Sequence, residues 1–66
     1  MRYFLELINR TNYANIYGLY DQAGRPIGTK EVKLAGRECG TYYYSLTGKY
    51  NKRDIARLFK TAIKRG

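Results

Sequence analysis

Residues 51–65, NKRDIARLFKTAIKR, constrain this chain more than any other stretch. Ile55, Leu58, Phe59, Ala62 and Ile63 stand at i, i+3, i+4, i+7 and i+8, the spacing of one apolar stripe on an α-helix. Asn51 is a good N-cap, and Asp54 three residues later completes a capping-box-like start that suits the helix dipole. Lys64 and Arg65 suit the other end of the dipole, and Gly66 stops the helix. A helix with one apolar stripe must bury it.

The rest of the sequence reads as strands and turns. Residues 2–8 alternate, with Tyr3, Leu5 and Leu7 on one face. Residues 9–12, NRTN, are a polar turn. Residues 14–20, ANIYGLY, form a strand in which Gly18 suggests a bulge or a close backbone approach. Residues 21–26, DQAGRP, are the clearest turn: Asp21 opens it, Gly24 can take positive φ and Pro26 fixes the exit. Residues 27–34 are a partly polar strand, 35–40 a turn bounded by glycines, and 41–46 a further strand. Short connections imply an antiparallel meander. The expected fold is therefore α+β, a three- to four-stranded antiparallel sheet with the C-terminal amphipathic helix packed on one face. The helical stripe should meet Leu5, Leu7, Ile16, Val32 and Leu34.

The 66 residues make one domain, 1–66, near the lower limit for folding without staples. One cysteine, Cys39, excludes an internal disulfide framework. It is expected as a small, semi-buried residue between two turn glycines, and it suits a reducing cytoplasm. No apolar run approaches the ~20 residues that span a bilayer, so no membrane span is expected, and an anionic membrane surface ranks only after nucleic acid as a partner. With no histidine, no phosphate-loop motif and no paired carboxylates, the chain offers no ordinary catalytic base, nucleophile pair or metal site. The expectation is a non-enzymatic protein with no cofactor.

Charge is the functional signal. Thirteen Lys and Arg against five Asp and Glu give +8, which favours polyanionic partners and nucleic acid first. Residues 49–66 carry seven of the basic residues and one acid. On a helical wheel Arg53, Arg57, Lys60 and Lys64 cluster opposite the apolar stripe, flanked by Lys52 and Arg65, with Lys49 at the helix entry a further candidate contact. A ridge of one sign repels itself by a few tenths of a kcal/mol per pair, so an external anion is the natural compensation. A charge run is otherwise only a solvated face.

Eight tyrosines and no tryptophan form the second signal. In residues 42–44, YYY, alternation separates Tyr43 from Tyr42 and Tyr44. The pair is expected in the core beneath the helix. Tyr43, with Tyr17 on a neighbouring strand, is expected to be exposed, where rings stack on unpaired bases. Arg25 in the turn is a further candidate contact. Tyrosine and arginine also dominate protein–protein hot spots, so the same chemistry suits an acidic surface of a host protein or nucleoprotein complex. The first expectation is a small regulatory nucleic-acid-binding protein, DNA ahead of RNA. The second is a protein-binding inhibitor or adaptor.

Two resemblances illustrate these alternatives. The run IYGLYDQAGRPIGTK, followed by a strand and a C-terminal helix, resembles in layout the arm-site DNA-binding domains of phage-type integrases. That resemblance implies a three-stranded sheet that reads the major groove, with Tyr17, Arg25, Lys30 and Lys33 facing DNA. The run NYANIYGLYDQAGRPI resembles a hairpin of one type of small phage anti-CRISPR protein, which implies binding to a CRISPR complex. The two imply different functions, and neither assigns the chain to a family.

Overall fold

The computed structural model describes residues 2–65. Five strands and one helix follow in the order β1 (Phe4–Arg10), β2 (Ala14–Tyr20), β3 (Pro26–Lys33), β4 (Gly40–Ser45), α1 (Lys52–Thr61) and β5 (Ile63–Lys64). The class is α+β, as expected. The sheet, however, has five strands ordered β4-β3-β2-β1-β5 and is mixed. The first four strands form the antiparallel meander, and β5 runs parallel to β1.

The turns follow their sequence chemistry. Asp21 Oδ1 accepts hydrogen bonds from the backbone N–H groups of Ala23 at 3.0 Å and Arg25 at 2.8 Å. Gly24 takes φ +85°, where a side chain would be strained. At the tighter β1–β2 turn, Thr11 Oγ1 accepts from the N–H groups of Tyr13 and Ala14. The helix opens on the expected capping box. Asn51 Oδ1 accepts from the Asp54 N–H at 2.9 Å, and an Asp54 carboxylate oxygen accepts from the Asn51 N–H at 3.3 Å.

The helix stops earlier than its period implies. Ala62 is extended, at ψ 146°, and the chain then pairs with β1. The Ile63 N–H donates to the Tyr3 carbonyl at 2.9 Å, and the Arg65 N–H donates to the Leu5 carbonyl at 2.8 Å. An unpaired strand edge is a row of unsatisfied donors and acceptors. Satisfying β1 outweighs one further helical turn, and β-branched Ile63 suits a strand. Lys64 therefore lies on β5 and is not part of the helical ridge.

Which side chains meet the helix is set by register. Leu19, Gly28 and Ser45 lie opposite one another across β2, β3 and β4, and Tyr17, Lys30 and Tyr43 form the next row on the same face. The helix packs on this face. Leu19, Ile27, Ile55 and Phe59 are buried, with Tyr3, Leu5, Tyr17, Tyr43, Tyr50, Leu58 and Ala62 packed around them. Burying a side chain of this size contributes about 1.5–3 kcal/mol. Gly28 is the closest approach: a Cβ there would lie 2.7 Å from Ile55 Cδ1. Beside this contact a bulge sets Ile27 between the pairs Leu19–Gly28 and Tyr20–Pro26. Tyr3 Oη and Tyr50 Oη lie 3.2 Å apart, tying β1 to the start of the helix.

Several expected core positions are therefore corrected. Ile16 belongs to the face away from the helix, because Tyr17 and Leu19 set the phase of β2. Leu7 and Leu34 are exposed, and Ile63 is too, having left the helix. Val32 is half-buried. The tyrosine triplet is phased opposite to expectation. Tyr43 is inward, its ring centroid 5.9 Å from that of Phe59, whereas Tyr42 and Tyr44 are exposed on the far side of the sheet. Gly18 is not a bulge; its missing side chain leaves room for Ile8 Cδ1 and the Tyr20 ring to lie across the far face. Cys39 is exposed, not semi-buried.

Candidate polyanion-binding face

The helix shields the core with its apolar stripe and turns its other side outward. Lys52, Arg53, Arg57 and Lys60 are all exposed there. Arg53 and Arg57 are one turn apart, as are Arg57 and Lys60, so the three form the continuous ridge that the sequence implies. Its self-repulsion is partly relieved at one point: Arg57 Nη2 donates to Asp54 Oδ1. The capping carboxylate thus anchors the middle arginine. Both partners remain at the surface, where such a pair contributes about 0.2–1 kcal/mol.

Three more cations share this side of the sheet. Lys30, in the row with Tyr17 and Tyr43, holds its ammonium 5.1 Å from the Tyr17 ring centroid and 5.3 Å from that of Phe59. Ring faces attract a cation electrostatically, so Lys30 is fixed beside the helix. Arg10 is exposed opposite Asn15, two residues before Tyr17 on the same face. Lys64, exposed on β5, is paired in register with Leu5, which packs on the core. The helix side of the molecule thus carries Arg10, Lys30, Lys52, Arg53, Arg57, Lys60 and Lys64 against one acid, Asp54.

The opposite, open side of the sheet is electrically different. Glu6 and Glu31 alternate with helix-facing residues of their strands, and so does Lys33. Arg37 and Glu38 join Glu31 and Lys33 around a shallow cleft of about 490 Å³. Arg65 sits 4.8 Å over the Phe4 ring. Three acids stand here against three bases, and Arg2, exposed two residues before Phe4, is a further cation. Lys33 donates to Glu38 at 3.0 Å, and this hydrogen bond holds its pKa above the ordinary lysine value. The lysine also lies 5.2 Å over the Tyr42 ring.

Other expected contacts fall elsewhere. Arg25 and Lys49 come together at the end of the sheet, lining a cleft of about 520 Å³ with Asp21, Thr47 and Tyr50. Arg25 Nε is 3.4 Å from Asp21 Oδ2, so this cleft carries a weaker net charge and lies apart from the ridge. Tyr17 and Tyr43 are half-buried beneath Phe59 and beside Lys30. They position a cation and are not free stacking surfaces. The placement implied by the integrase resemblance is also corrected. Tyr17 and Lys30 face the helix, while Lys33 faces the open side. Composition and charge alone do not show that charge is sorted by sheet face. The signal was present in the alternation of residues 28–33, once Gly28 is known to face Ile55.

Among the described residues, no three His, Cys, Asp or Glu side chains are grouped as a metal ion would need. No helix is long and apolar enough to cross a membrane. No family model, curated protein or solved structure matches this chain.

Proposed function

We propose that this protein binds nucleic acid, duplex DNA ahead of RNA, through the helix side of its sheet. The reading rests on one observation: seven cations and a single acid share that side. Such a face neutralises phosphates and releases their condensed counterions, a term that needs no sequence recognition. The helix with its side chains is about 10–12 Å across, and the major groove of B-DNA is about 12 Å wide. Arg53, Arg57 and Lys60 therefore enter the groove or line its rim, with Lys30, Arg10 and Lys64 reaching the flanking backbone. The inward phase of Tyr43 and Tyr17 favours a duplex over a single strand, since neither ring is free to stack on bases. The role is a non-enzymatic, regulatory one in the cytoplasm, of the kind that small phage-type proteins perform.

Fluorescence anisotropy tests this with duplex DNA, single-stranded DNA and duplex RNA, each titrated between about 50 and 200 mM salt. The expected result is tightest binding to duplex DNA, with a steep log–log dependence on salt. Weak binding to all three at the lowest salt overturns the proposal. The basic side would then be a docking surface for an acidic protein.

A further inference from the structure

The open side of the sheet presents a second surface, and its chemistry differs from that of the basic side. Register places Phe4, Ile16, Tyr20, Tyr42, Tyr44 and Ile63 on it. Tyr42, Tyr44 and Ile63 are exposed, as is Ile8, whose side chain crosses Gly18 on the same face. The helix packs on the other side, and the loop after β3 lies against the Tyr42 end of this face, where the Tyr42 hydroxyl donates to the Glu38 carbonyl at 2.7 Å. We infer that this open face pairs with the open face of a second copy of the same chain, forming a back-to-back dimer of sheets.

Three observations favour a second copy over other occupants. The first is charge. Two chains of +8 repel each other wherever basic sides meet. On the open face Glu6, Glu31 and Glu38 stand against Lys33, Arg37 and Arg65, with Arg2 a further cation before β1, so two copies meet there with far less repulsion than at the basic sides. This near-balance gives phosphates little attraction, which argues against a nucleic-acid strand on this face. The second is area. The molecule measures 36 × 25 × 17 Å, and its broad face is large enough for the ~800 Å² per partner of a standard stable interface. Sheets pack face to face about 10 Å apart through interdigitating side chains; exposed Tyr42, Tyr44 and Ile8 supply them.

The third is stability. Chains below ~70 residues rarely gain enough from one core and usually add disulfides, a metal or oligomerisation. Here four hydrophobic side chains are buried among the described residues. The chain has one cysteine, and no metal-binding group exists among those residues. Association adds to this small core and covers apolar surface that the fold leaves open. The dimer keeps both basic sides outward, so this inference stands whatever the basic side binds.

Sedimentation equilibrium over a range of protein concentrations provides the test. The expected mass is twice that of the 7.7 kDa chain at micromolar concentration. Tyr44→Glu should raise the dimer dissociation constant about tenfold or more, as loss of a central aromatic anchor does. Circular dichroism confirms that the variant is folded, its side chain being exposed in the monomer. Glu31→Lys, which leaves the rings intact and unbalances the face, should weaken association in the same direction. Arg53→Ala, on the other side, should not. A single-chain mass at all concentrations overturns the inference, and so does a dimer that both open-face variants leave unchanged. A monomer whose single-strand DNA binding is lost in Tyr44→Glu overturns it too and makes the face a stacking platform.

Discussion

Replacing Arg53, Arg57 and Lys60 together by alanine removes three of the seven cations on the helix side. The fold should survive the change. All three side chains are exposed, and alanine has the highest intrinsic helix propensity. Asp54 loses its surface partner Arg57, a cost of about 0.2–1 kcal/mol, while relief of repulsion along the ridge returns a few tenths per pair. Stability measured by urea unfolding should therefore change by less than about 1 kcal/mol. Binding should change far more. If each of the seven cations neutralises one phosphate, the log–log salt slope is about −6, from ~0.9 per phosphate. Four remaining cations give a slope of about −3.6. Between about 50 and 200 mM salt, the parent then loses several thousand-fold in affinity and the variant roughly a hundredfold. Anisotropy with a labelled duplex reads both slopes directly. The loss should be the same for unrelated DNA sequences, because phosphate contacts carry no sequence information. A variant slope equal to the parent's would refute the reasoning, because the ridge would then touch no phosphate. Arg25→Ala is the internal control. That residue sits in the turn, beside Asp21 and away from the ridge, and its loss should leave the slope nearly unchanged.

Gly28→Ala probes the docking of helix on sheet. The new Cβ would meet Ile55 at 2.7 and 2.9 Å and the Tyr44 carbonyl at 3.0 Å, so overpacking should cost about 1–3 kcal/mol in urea or thermal unfolding; an unchanged midpoint would contradict the contact. The Tyr3 phenol has its pKa raised above 10.0, chiefly by the hydrogen bond with Tyr50. The folded state thus favours the neutral phenol, and the stability this gives is present below pH 10 and lost as pH rises through the raised value. Tyr50→Phe should return Tyr3 ionisation toward the ordinary tyrosine range in a near-ultraviolet absorbance titration and flatten the alkaline loss of stability. Identical titration curves for parent and variant would show that the bond does not form.

The start of the helix and the 21–26 turn are legible in the sequence because their determinants are local. Asn51 and Asp54 satisfy each other's backbone within one turn, and Asp21 and Gly24 do the same for the hairpin. The end of the helix is not local. Residues 62–65 keep a helical period, but the free edge of β1, some sixty residues earlier in the chain, competes for their backbone. The phase of the strands was equally out of reach. Alternation divides Tyr43 from Tyr42 and Tyr44 without saying which side meets the helix. That choice follows from Gly28, where the missing Cβ admits Ile55, and from the bulge at Ile27 that turns two successive residues inward. The basic ridge was readable for Arg53, Arg57 and Lys60, since the wheel depends on the helix alone. The contributions of Lys30 and Lys64 depend on strand phase and on β5, so they could not be read before the register was known.

The pairing of Ile63 with Phe4 also orders events during synthesis. Each hairpin of the meander joins neighbours in sequence and can close as soon as its second strand emerges. The β1–β5 contact spans almost the whole described chain, and contacts of such separation carry the largest loop-closure entropy. While residues 63–65 are still inside the ribosome, the outer edge of β1 has no partner. A nascent chain at that stage displays a row of free backbone donors and acceptors, open to strands of neighbouring nascent chains. Emergence of residues 63–65 therefore completes the sheet, and this short strand guards its most vulnerable edge.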